Sequence, residues 1–313
     1  TPSALNTREL DQLLSGLQEH FGQPTLEYTI EMNPETVTKD KVRLLAKYGV
    51  NRVSLGLQAK QPQLLALLER KSNFEQVEKA VGLIKAEGIK RLSLDVIYGI
   101  PGQTEEDLLE TLEAVMAMRP DHLSCYALKL EPHTPMGDLE ARGELTMPSD
   151  EVAADQLALI VTYLKGRGYK RYEVSNFALE GFESQHNLAY WTGVDTLGLG
   201  AGSVYLVDGK RYSNEKDILK YINDVNHNAL PIESVEVLED SDFRLEYLML
   251  RLRLASGISL NEYRRIGNVD LLTAKGPLLA RLAEEGLIEI DGDTLRLTDA
   301  GMAIENAIIV ALE

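Results

Sequence analysis

Apolar residues fall at Leu10, Leu13, Leu14 and Leu17, the three-and-four spacing of one helix face, and predict a helix over residues 7–20. The stretch EYTIEMNP (27–34) then reads as a strand closed by a turn. TKDKVRLLAKYG follows as a helix that opens on a threonine cap and stops at Gly49. The alternation continues with strand NRVSLGLQ (51–58) and helices within 61–69 and 74–87. Strand RLSLDVIY breaks at Gly99-Ile100-Pro101-Gly102, helix EEDLLETLEAVMAM comes next, and DHLSCYALKLE is another strand. Repeated strand–helix units of this length place parallel strands under right-handed crossovers, so the expected class is α/β, as an open sheet or a barrel.

After residue 131 the period changes. SDEVAADQLALIVTYLKGRG (149–168) is a long helix, acidic at its start and basic at its end, as the helix dipole favours. YKRYEVSNFA (169–178) is expected as one further strand. From about residue 233 three helical stretches (240–255, 259–265 and 269–285) precede LIEIDGDTLRLT, a hairpin turning at Asp-Gly-Asp. The predicted division is a barrel with its extension, 1–232, and a small winged-helix-like α+β domain, 233–313. Helix 269–285 sets Lys275 and Arg281 against Glu284 and Glu285, so it has no basic face for a DNA groove.

Composition narrows the partners. The 313 residues carry 32 Lys and Arg against 49 Asp and Glu, a net charge of −17. Such a surface repels both a nucleic-acid backbone and an anionic membrane. No apolar run approaches a bilayer-spanning length, so neither nucleic acid nor membrane insertion is expected. The single cysteine, Cys125, excludes a disulfide framework and fits a reducing cytoplasm. Mid-strand, it reads as a small buried hydrophobe. The opening TPSALNTREL shows neither the basic nor the apolar region of a signal peptide. GLGAGSV, ending at Val204, has the glycines of a dinucleotide fingerprint but lacks the strand before and the helix after, so tight turns explain it better.

Polar residues close the predicted strands: Glu31 and Asn33, Gln58, Asp95, Glu131. The C-terminal strand ends of a barrel are where ligands bind. The ordered series EYTIEMNPE, GVNRVSLGLQ, LLERKS, SLDVIYGIPGQTEEDL, PDHLSCYALKLEPHTP and HNLAYW resembles, over essentially the whole chain, the radical SAM family of oxygen-independent coproporphyrinogen III oxidases and their relatives. That resemblance implies a partial (β/α)6 barrel, S-adenosylmethionine (SAM), and a 4Fe–4S cluster held by three cysteines of a C-x3-C-x2-C loop after the first strand. Thr1-Pro2-Ser3 resembles the tail of the family's GGGTPS segment, so the first strand, the cysteine loop and most of the second strand are expected ahead of it. With Cys125 alone, this chain is expected not to bind the cluster, which is assigned to the parent protein.

The resemblance also implies roles. Glu31 would meet the SAM ammonium and Arg70, in LLERKS, the SAM carboxylate. Gln58 and Asp95 would bond the ribose hydroxyls, with the turn at 99–102 bringing backbone close to the ligand. An H-N-x-x-Y-W motif, intact as His186 to Trp191, marks the HemW-type heme-chaperone branch. It implies heme as ligand, His186 as an axial iron ligand, Tyr190 and Trp191 as flat apolar contacts, and a heme-acceptor protein as partner. His122 and His133 are next in line as ligands. Composition by itself favours a turn-capping His186 and core-filling aromatics, and the resemblance reverses that preference. The other branch, the coproporphyrinogen III dehydrogenases, decarboxylates two propionates through a 5′-deoxyadenosyl radical.

Overall fold

The computed structural model describes residues 2–313. Contacts divide the chain into two compact units, Thr1–Gln185 and His186–Glu313. The segment 186–232, expected to extend the barrel, therefore belongs with the second unit. The first unit runs α1 (Thr7–Phe21), β1 (Thr29–Met32), α2 (Lys39–Lys47), β2 (Arg52–Gln58), α3 (Pro62–Leu67), α4 (Phe74–Ala86), β3 (Arg91–Tyr98), α5 (Glu105–Ala117) and β4 (His122–Ala127). It continues with α6 (Pro135–Ala141), α7 (Asp150–Lys165), β5 (Lys170–Arg171) and β6 (Asn176–Ala178). Its helices start where the sequence offers caps: Thr38, Asn73, Thr104 and Ser149 each accept a backbone N–H of the first turn.

These strands form one sheet in the order β1-β2-β3-β4-β6-β5. The first four are parallel, with Met32 beside Leu55, Leu55 beside Leu94 and Leu94 beside Leu123. β6 is antiparallel to β4 and to β5. Three expectations need correction. Residues 169–178 are two short antiparallel strands around a turn, because Tyr172 N donates to Asn176 O and folds the chain back. β4 stops at Ala127, so Glu131 is exposed in the loop beyond rather than at a strand end. Asp95 lies within β3, which runs on to Tyr98.

Side chains alternate across a strand. One set, including Val53, Leu55, Leu92, Leu94, Val96, Leu123 and Cys125, is buried in the core shared with the helices. The other set is largely polar: Arg52, Ser54 and Gly56 on β2, Ser93 and Asp95 on β3, His122, Ser124 and Tyr126 on β4. Near the start of the strands this face is closed by a buried polar floor. Arg52 Nη1 and Glu27 Oε2 lie 3.9 Å apart with side chains 3% and 4% exposed. His122 Nδ1 shares a 2.8 Å hydrogen bond with Ser93 Oγ, and Nε2 a 2.8 Å bond with Tyr172 Oη. Residues 182–185 complete it: Ser184 N donates to Tyr172, Ser184 Oγ and Gln185 N donate to Glu27, and Arg52 donates to Phe182 O.

The second unit comprises α8 (Gln185–Thr192), β7 (Val204–Val207), β8 (Lys210–Asn214), α9 (Ile218–Asn226), β9 (Ile232–Val237), α10 (Asp240–Arg251), β10 (Ile258–Ser259), α11 (Leu260–Arg265), α12 (Leu271–Glu284), β11 (Ile288–Asp291), β12 (Thr294–Leu297), α13 (Asp299–Ala303) and α14 (Glu305–Leu312). β7-β8-β9 form an antiparallel sheet that the sequence did not reveal. β10-β12-β11 form a second, and with α10, α11 and α12 they make the expected C-terminal α+β module around Leu248, Leu279 and Leu295. The expected single helix 269–285 is kinked at Lys275, two residues before Pro277. Gly257 (φ +68°) lets the chain enter β10, since a Cβ there would meet Leu295 O at 2.2 Å. No helix of the described residues is long and apolar enough to cross a membrane.

Candidate functional site

Glu31, Gln58, Arg70 and Asp95 come together around Gly56. Gly56 pairs with Asp95 across β2 and β3, and Glu31 pairs with Ser54 across β1 and β2. Ser54 Oγ donates to Asp95 Oδ1 at 3.0 Å. A bulge separates Gly56 from Gln58, whose φ of +72° turns its amide back over the strand. After α3, Glu69 at φ +53° reverses the chain and carries Arg70 to the same place. A Cβ on Gly56 would meet Arg70 Nη2 at 2.6 Å and Gln58 Nε2 at 3.0 Å, so the missing side chain is the space in which guanidinium and amide sit.

The electrostatics follow from that crowding. Burial pushes the Asp95 carboxyl up to about 6. Hydrogen bonds from Ser54 and Ser124 oppose the rise, Glu31 adds to it and Arg70 subtracts from it. Tyr126, beside Ser124, is pushed up to about 12, first by burial and then by the field of Asp95, Glu173 and Glu31. Two carboxylates, an amide and a guanidinium on one polar face match the ammonium, hydroxyl and carboxylate groups of SAM in charge and hydrogen-bonding type. Ser54, Ser124 and Tyr126 escaped sequence reasoning, as did Gln156 of α7. Gln156 is buried, accepts from Gly99 N at 2.7 Å and donates to Gln103 O, pinning the turn beside Asp95.

HNLAYW lies in α8 rather than in a capped turn. His186 and Tyr190, four residues apart on a helix, share one exposed face. Their rings meet edge to face with centroids 4.8 Å apart. Trp191 points elsewhere: it is half-buried, with the Arg253 guanidinium 5.9 Å from its ring. Two cavities flank Gly193 and Leu250. One, about 500 Å³, has Tyr190 in its wall; the other, about 400 Å³, has Trp191. The motif thus delivers its aromatics to adjoining cavities rather than to one surface. His122 is not a usable iron ligand: it is 1% exposed, both ring nitrogens are engaged, and burial holds it neutral well below its usual range. His133 is exposed in the loop before α6. Cys125 is buried with its thiol pushed up by burial. Among the described residues no group of three or more His, Cys, Asp or Glu could hold a metal ion, and a 4Fe–4S cluster takes three cysteine thiolates where this sequence has Cys125 alone.

The Radical SAM superfamily model matches residues 3–115, and the HemN C-terminal domain model matches residues 238–304. The heme chaperone HemW of Lactococcus lactis subsp. lactis (strain IL1403) is 33% identical over 310 residues, 98% of this chain and 80% of that protein. The heme chaperone HemW of Mycobacterium tuberculosis (strain CDC 1551 / Oshkosh) is 33% identical over 313 residues, 100% of this chain and 78% of that protein. The solved coproporphyrinogen III oxidase (HemN) from Escherichia coli shares the fold, with a TM-score of 0.82 and 23% identity over all of this chain and 75% of that one. The two matching family models place the chain among radical SAM proteins with a HemN-type C-terminal domain. Within that class the chain belongs to the HemW family of heme chaperones.

Proposed function

We propose that this chain acts as a radical-SAM-type heme chaperone that binds heme and passes it to an acceptor protein in the cytoplasm. Family membership supports the reading, and the observation that carries it is the exposed His186–Tyr190 face of α8. An imidazole there can take an axial position on iron while the phenol lies against the macrocycle. Trp191 lines the adjoining cavity, with the Arg253 guanidinium near its ring, and would offer its indole as apolar surface there.

Glu31, Arg70, Gln58 and Asp95 would hold SAM, the first by the ammonium, the second by the carboxylate and the last two by the ribose. A 4Fe–4S cluster, where bound, would supply the electron for reductive cleavage of SAM. What these residues do is bind and orient a cationic ligand. The alternative, a coproporphyrinogen III dehydrogenase, uses the same fold; the H-N-x-x-Y-W stretch favours the chaperone.

Absorbance titration of hemin into the full chain tests the reading. His186→Ala should lower affinity about tenfold, ~1.4 kcal/mol, and shift the Soret and visible bands. Trp191→Leu should weaken binding and leave the bands in place. An unchanged spectrum and affinity in His186→Ala would put the ligand elsewhere and demote the chaperone reading.

A further inference from the structure

We propose that the cavity walled by Tyr190 receives the vinyl- and methyl-bearing edge of the heme macrocycle, and that its acidic rim keeps the propionates outside; this rests on the heme reading above. The cavity measures about 500 Å³, within the range of small-molecule sites. Tyr190 and Val194 come from the α8 side, Leu206 from β7, and Leu245 and Met249 from α10. Tyr190, Val194 and Met249 are 49%, 50% and 38% exposed, so one apolar patch continues from the cavity onto the face that carries His186.

The rim decides which edge of heme enters. Glu236, Asp242 and Glu246 border the cavity with a single cation, Arg211. Arg211 Nη1 donates to Glu236 at 2.7 Å and Nη2 donates to Glu246, so the guanidinium is committed to carboxylates already present. Asp242 accepts from Glu239 N as part of the α10 cap. Three carboxylates and one occupied arginine leave a net negative rim, where two propionates would meet like charge in a partly desolvated site. The opposite edge of heme is hydrocarbon and meets no such penalty. Iron lies at the centre of the disc. With the apolar edge seated beyond Tyr190, the iron remains on the α8 face, where the His186 imidazole stands edge-on to the Tyr190 ring. The propionates then project outward, where an acceptor could reach them.

The test is hemin titration of the full chain, read by absorbance, with three hemes and three variants. Deuterohemin, which lacks the vinyl groups, should bind about tenfold more weakly than protohemin. Hemin dimethyl ester should bind at least as tightly, because its neutral propionates no longer feel the rim. Met249→Glu, at a position 38% exposed, should weaken protohemin at least tenfold with the ligation bands unmoved. Met249→Leu should restore wild-type affinity and bands, showing that the thioether supplies surface rather than a ligand. Equal binding of protohemin and deuterohemin together with a neutral Met249→Glu would overturn the inference, as would loss of binding on esterification. His186→Ala separates the two readings. If it weakens binding while Met249→Glu does not, heme binding stands and the cavity assignment falls. If no hemin binds the chain, both fall.

Discussion

Asp95 is the residue whose surroundings most oppose its charge. Its carboxyl rises from 3.8 to about 6, so on raising pH the unfolded chain gives up this proton before the folded one. The stability of the protonated form is complete below pH 3.8 and lost as pH rises through 6, a cost of up to about 3 kcal/mol at neutral pH. Asp95→Asn should therefore raise the melting temperature of the ligand-free chain at pH 7.5 and leave it nearly unchanged at pH 4. The same change should weaken SAM binding by about 1.5–3 kcal/mol, the worth of a hydrogen bond to a charged acceptor. Thermal melts and calorimetric titration check the two halves; a lower melting temperature at pH 7.5 would contradict the first. Gly56→Ala tests the neighbouring pair differently. Its Cβ would displace the flexible Arg70 guanidinium, so SAM affinity should fall severalfold with little loss of stability. Isothermal titration beside a urea melt separates those effects. Glu31, Gln58, Arg70 and Asp95 could be picked out as candidates because each sits in a recognisable motif. Ser54, Ser124 and Tyr126 could not, because a serine or tyrosine in an alternating strand looks like any outward residue, and only the parallel register brings them to Asp95.

At the scale of elements, the alternation of apolar stripes gave β2, β3 and the helices around them nearly to the residue, while the stretches read as β1 and β4 run past Met32 and Ala127. Long amphipathic helices with side-chain caps and buried parallel strands carry strong periodic signals. The signal failed where elements are short. YKRYEVSNFA alternates well enough to pass for one strand, yet the Tyr172–Asn176 hydrogen bond folds it into β5 and β6. β9 is exposed at five of its six positions and has no buried face to announce it. HNLAYW has no helical apolar period, and α8 buries none of its residues. The β5–β6 hairpin and residues 182–185 matter because they close the polar floor. There Glu27 faces Arg52, which is 2% exposed. Glu27→Gln should cost on the order of 3–5 kcal/mol, because a buried guanidinium loses its countercharge. The exposed Lys170–Glu180 pair is the control: Lys170→Ala should leave the urea midpoint in place. Equal midpoints for wild type and Glu27→Gln would mean that Arg52 is satisfied by Phe182 O alone.

For the whole molecule, composition and strand–helix alternation were enough to predict an acidic α/β protein with a small C-terminal module, but not where the units divide. The boundary falls at Gln185–His186 within one unbroken helical stretch, with no Gly- or Pro-rich linker to mark it. What separates the units is their burial. One core gathers Leu10, Val53, Leu94, Leu123 and Phe177; another gathers Leu248, Leu279, Leu295 and Ile309, with no residue in common. Two cores of this kind need not melt together. The candidate ligands also divide between them, since the residues assigned to SAM lie before Gln185 and those assigned to heme after it. Differential scanning calorimetry of the full chain should therefore resolve two transitions. Asp95→Asn should move one and leave the other in place, and Leu295→Ala, which empties part of the second core, should do the reverse. Hemin at a hundred times its dissociation constant should stabilise by about 2.7 kcal/mol the transition that Leu295→Ala lowers, because a ligand stabilises only the unit whose folded form binds it. A single transition shifted alike by both substitutions and by hemin would show one cooperative body, and would make the division at Gln185 a feature of contact density rather than of stability.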